Sequence, residues 1–90
     1  MSMKFAIIDG STVTSMADVH AALAQQLAFP EWYGGNLDAL HDCLTDLHEE
    51  TDLSMIHPEA LLEKLGPAYG RLCRVLSDAA DENPYLKLHL

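Results

Sequence analysis

Three carboxylates recur one helical turn apart in NLDALHDCLTD, at Asp38, Asp42 and Asp46, directly after the aromatic and glycine stretch FPEWYGG. Such a row can serve as acid and base, can hold a cation, or can meet the cations of a partner. Acid–base work needs burial or a close charge that tunes one carboxyl against another, and an exposed helix face supplies neither. A metal would find Asp38, His41 and Asp42 within one turn, with His48 near the side of Asp46, but no HExxH motif or paired-cysteine spacing accompanies them. The serines at 11, 15, 54 and 77 lie outside any G-x-S-x-G elbow, and neither Cys43 nor Cys73 has a sequence-local base that would mark it as a nucleophile. Gly34 and Gly35 belong to neither GxGxxG nor GxxxxGK, and the acidic helix beyond them repels phosphate. No catalytic residue, metal or cofactor is expected.

Recognition remains. Trp32 and Tyr33 on a loop are flat aromatics beside charge, the usual makeup of an interface anchor, although both rings packing over a helix junction would explain them too. Gly34 and Gly35 allow close approach of another backbone and equally suit a tight turn into the helix. Asp38 and Asp42 share a face and can meet two arginines at once. Asp38 lies where the helix dipole already favours a carboxylate, whereas Asp42, a full turn further in, has no such reason to be there. The partner must supply the cations.

The elements that present these residues follow from periodicity. Phe5 to Ile8 form a continuous apolar run ended by Asp9-Gly10, which reads as a strand buried on both faces. Ser15 with Asp18 resembles a capping box, and Met16, Val19, Ala22, Leu23 and Leu27 continue at helical spacing, so a first helix spans 15–27. Pro30 and the glycine pair make 31–35 a loop, and Asn36 caps a second helix running to about Leu47. On its wheel Leu37, Leu40, Cys43, Leu44 and Leu47 share one side, and Asp38, Asp42, Thr45 and Asp46 the other. An acidic connector over 49–52 leads to a strand at 53–56. Pro58 and Pro67 then open a short and a long helix, and Tyr85 to Leu90 close the chain as a strand inside the sheet. This order predicts an α/β fold: a small three-stranded parallel sheet with about four helices and helical crossovers.

Ninety residues fit one domain, read here as 1–90, with a thin core. The balance of 14 acidic against 5 basic residues gives a net charge of −9, which disfavours nucleic acid and anionic membrane surfaces and favours a basic protein partner. Cys43 and Cys73 read as free thiols of a reducing compartment, and the N-terminal run is cut short by Asp9, so the cytoplasm is the expected location.

The stretch FPEWYGGNLDALHDCLTDL resembles the signature of the barstar family, small intracellular inhibitors of guanine-preferring microbial ribonucleases. IIDG, the Ser-x-x-Asp-Val-His start of the first helix and the closing strand fall in the same order. The resemblance covers essentially the whole chain and is weakest between about Glu49 and Tyr85. It implies a barstar-like fold and, together with the residue pattern above, gives an expected partner-binding face of Trp32, Tyr33, Gly34, Gly35, Asn36, Asp38, His41, Asp42, Thr45, Asp46 and Asp78. Asp42 matches the family's central acidic group, Asp38 its acidic neighbour, Tyr33 the loop tyrosine, Asn36 the helix cap, Thr45 an edge contact and Asp78 a peripheral acidic contact. The implied partner is a basic, secreted-type microbial ribonuclease, against which the chain would be an immunity protein; the alternative is an adaptor or antitoxin-like protein using the same face on another basic toxin. His41, Gly35 and Leu47 depart from the family's best-known member, which has tryptophan, an acidic residue and tryptophan there.

Overall fold

The computed structural model describes residues 3–90. The elements run β1 (Met3–Asp9), α1 (Met16–Leu27), α2 (Leu37–Thr45), β2 (Glu50–Ile56), α3 (Pro58–Leu65), α4 (Pro67–Glu82) and β3 (Leu86–His89). The sheet has the order β1-β2-β3, parallel throughout, with Ala6 opposite Leu53 and Leu53 opposite Leu88. The expected α/β class, three parallel strands and four helices are all present.

One face of the sheet is covered. Ala6, Ile8, Thr51, Leu53, Met55 and Leu86 point inward and are buried among Val19, Leu23, Leu40, Leu44, Leu72 and Leu76. The opposite face is open: Phe5 is 63% and Ile7 47% exposed, so β1 is buried on one face and not on both. The reason is topological. Crossovers of the usual right hand that advance in the same direction leave their helices on the same side of a sheet, and the strand order β1-β2-β3 has no reversal that would cover the second face.

Two further boundaries differ from the sequence reading. β2 begins at Glu50, so most of the acidic connector is strand; Thr51 is fully buried and Leu53 follows it inward, while Glu50 and Asp52 point the other way. β3 is an edge strand rather than one inside the sheet, since only β2 pairs with it. The other edge, β1, is closed in part by a side chain. Gln26 of α1 accepts from the Ile7 amide at 2.8 Å and donates to the Ile7 carbonyl at 3.0 Å, which imitates one residue of a neighbouring strand.

Local signals set the helix starts. Ser15 Oγ accepts from the Asp18 amide, and the Asp18 carboxylate turns back to the amide and hydroxyl of Thr14. Pro58 and Pro67 open α3 and α4. Between β1 and α1, Gly10 lies against α3: a Cβ there would come within 2.1 Å of the His57 carbonyl oxygen. Lys64 holds this turn from above by donating to the carbonyls of Gly10 at 2.7 Å and Val13 at 3.0 Å.

Candidate functional site

Asn36 places the acidic helix. Its side-chain oxygen accepts from the Ala39 amide at 2.8 Å, and its carbonyl takes the first helical bond, from Leu40. From that start Leu40, Cys43 and Leu44 face the core, and Asp38, Asp42 and Asp46 face solvent. The helix ends at Thr45, two residues short of the sequence reading. Asn83, at the end of α4, accounts for the stop: its amide donates to the Leu44 and Leu47 carbonyls at 2.9 and 3.1 Å, and its oxygen accepts from the Tyr85 amide. One buried side chain therefore ties the end of α2 to the turn before β3.

The loop before the helix is held from beneath and bare on top. Tyr33 stacks at an angle on Phe29, with ring centroids 4.9 Å apart, and its hydroxyl hydrogen-bonds His20 Nδ1 on α1. Burial pushes the Tyr33 phenol up to about 12 and holds the His20 imidazole below its ordinary value, so the neutral form of both partners is the stable one. Trp32, by contrast, is 73% exposed. Gly34 and Gly35 are exposed too; Gly35 has φ +67°, and a Cβ on Gly34 would meet the Asn36 side chain at 3.1 Å, against the helix cap.

Across the helix, α2 packs on α4, and this contact gathers charge from both. His41 Nε2 lies 2.5 Å from the Glu82 carboxylate, and its other ring nitrogen lies 4.0 Å from Asp42. The hydrogen bond to Glu82 holds the imidazole above its ordinary value, with help from the negative charges of Glu82, Asp42 and Asp78. The Asp42 side chain is 80% exposed. Asp38 is exposed one turn earlier, and Asp78 is exposed on α4. Thr45 is turned inward to its own helix, its hydroxyl donating to the His41 carbonyl at 2.9 Å.

Asp46 stands apart from the His41 group. It lines a cavity of about 260 Å³ with Trp32, Phe29, Leu47 and His48. The residues expected to act together thus form a strip: Asp38 at one end, Asp42, His41 and Asp78 in the middle, Trp32 and Asp46 at the other end. Among the described residues no group of three His, Cys, Asp or Glu side chains is arranged to hold a metal ion, and no helix is long and apolar enough to cross a membrane. Cys43 and Cys73 are free thiols. Burial pushes the Cys43 thiol up, away from the reactive thiolate form.

Sequence reasoning missed three supports of this site. Glu82 follows Asp78 by one turn on an amphipathic helix, and that spacing was the available signal. His20 occupies an apolar position between Met16 and Leu23, the mark of a buried polar group with a partner. Asn83 ends α4 just before Pro84, but nothing local indicates that its amide reaches another helix.

A chemically sensible use of this strip is to meet cations over an area, with an aromatic anchor beside them. Over 43 residues the chain is 49% identical to a Bacillus subtilis (strain 168) protein named "Putative ribonuclease inhibitor YrdF", an alignment covering 48% of this chain and 47% of that one. The family described as Barstar (barnase inhibitor) matches residues 3–88, the full extent of the sheet and helices apart from the last strand residue, and the chain belongs to that family.

Proposed function

We propose that this protein inhibits a basic microbial ribonuclease by laying the strip from Trp32 to Asp78 over the enzyme's active-site cleft. The observation that carries this reading is the exposure of Asp38 and Asp42 on a helix fixed at both ends, with a bare tryptophan at the far end of the strip. Carboxylates held where RNA phosphates would sit use the attraction that the enzyme evolved for its substrate. Asp42 takes the centre, opposite the enzyme's cations. Asp38 and Asp78 flank it, and Trp32 and Tyr33 supply the flat contact. Gly34 and Gly35 let the enzyme's backbone come close.

Binding itself is the activity. The chain blocks the cleft by occupancy and performs no reaction of its own. The scaffold is rigid where this matters: Tyr33 is fixed by His20 and Phe29, so little ordering is left to the moment of association. Free thiols suit a reducing compartment, and there the chain would act as an immunity protein against an enzyme made for export.

The test is a titration of barnase, the enzyme named in the family's description, with the wild-type chain and with Asp42→Ala. Stoichiometric inhibition that the variant loses supports both function and site. A folded wild-type chain that leaves barnase and other basic guanine-preferring ribonucleases active would instead favour an adaptor using this face on a different basic protein.

A further inference from the structure

In this acidic protein one groove concentrates cations. It lies between the first turns of α2 and α4, encloses about 560 Å³, and is lined by Arg71, Arg74, Gly70 and Val75 on one side and Leu37 and Asp38 on the other. Arg71 and Arg74 stand about one turn apart on α4, both exposed, and among the described residues neither makes an ion pair. Lys4 and Lys64, in contrast, are engaged, with Glu49 and with two backbone carbonyls. Gly70 leaves the groove open, since a Cβ there would meet nothing within 4 Å. The positive ends of two helices add to the same field. Asp38 lines the groove without pairing with either arginine.

We propose that this groove receives an acidic side chain of the inhibited ribonuclease, set beside the cation that Asp38 meets. The inference rests on the function proposed above and sharpens it: the enzyme surface facing this end of α2 carries alternating charge, not uniform positive charge. A carboxylate accepts two parallel N–H bonds from a guanidinium, and two guanidinium groups about a turn apart fix where it sits. Two unpaired arginines at the edge of the approach face slow the steering of a cationic enzyme. A local acid contact, which acts on dissociation, gives them a use that steering does not.

The two effects have opposite signs, which makes them separable. Association and dissociation rates with barnase are measured for wild type, Arg74→Glu, the milder Arg74→Gln, and Lys87→Glu, which makes the same charge change on the outer sheet face. Thermal melts check that each variant is folded. The groove contact predicts that Arg74→Glu dissociates roughly tenfold faster or more, with Arg74→Gln moving the same way by less, while Lys87→Glu keeps its dissociation rate within about twofold. If Arg74→Glu behaves like Lys87→Glu, with faster association and unchanged dissociation, the groove takes no acid and the proposal falls while inhibition stands. A wild-type chain that does not bind removes the proposed function and this contact together.

Discussion

Asn83→Ala tests how the acidic helix is held. Asn83 is only 4% exposed and makes three hydrogen bonds, two to carbonyls at the end of α2 and one from the Tyr85 amide. The Leu44 carbonyl is the most deeply placed of these groups, and leaving it without a donor costs about 1–3 kcal/mol. The Leu47 carbonyl and the Tyr85 amide are partly accessible, so water recovers some of their loss and each adds about 0.5–1 kcal/mol. The expected destabilisation is therefore about 2–5 kcal/mol, a large fraction or all of the ~5 kcal/mol at the lower end for a domain of this size. Urea denaturation followed by circular dichroism reads it directly: with a slope near ~1 kcal/mol per molar, the midpoint should fall by about 2 M or more. A fall of less than ~0.5 M with an unchanged slope would refute the claim that this side chain ties the two elements together.

Asp42→Ala should weaken ribonuclease inhibition at least about tenfold more than Asp46→Ala, because Asp46 turns toward the Trp32 cavity; equal losses in the same titration would overturn that placement. His41 gives a pH signature. Its folded value is raised above the ordinary 6.5 by Glu82, so the contribution is complete below about 6.5 and lost as pH rises through the folded value. Glu82→Gln should therefore lower stability more at pH 6 than at pH 9, and a difference that grows with pH would contradict it. His20 has the opposite sign, since its depressed folded value weakens the fold as pH falls below 6.5, but both proteins share it and the comparison cancels it. Gln26→Leu frees the Ile7 amide and carbonyl on the β1 edge, and light scattering at high concentration should show association that wild type lacks.

What the sequence disclosed was mostly local. Ser15, Asn36, Pro58 and Pro67 act within a turn of themselves, and the helix starts they announce are where the structure has them. The exposure of Asp38, Asp42 and Asp46 followed from the wheel. Features that depend on partners distant in sequence did not show. A continuous run such as Phe-Ala-Ile-Ile looks the same whether one face is covered or two, and the answer lay in the direction of the crossovers. β2 does alternate polar and apolar from Glu50 onward, but the cluster of acids obscured the period. Helix α2 stopped early because of Asn83, and His41 found Glu82, each about forty positions away.

Trp32 has a use in the laboratory that follows from where it stands. It is the single tryptophan of the chain and is already 73% exposed when the protein is folded. Unfolding therefore changes its surroundings little, while docking of another protein over the strip would take the indole out of water. Its emission separates two events that intrinsic fluorescence usually mixes. A blue shift or quench on adding a candidate enzyme reports contact at this face without any label, and a silent indole during a urea titration leaves circular dichroism to follow the fold alone.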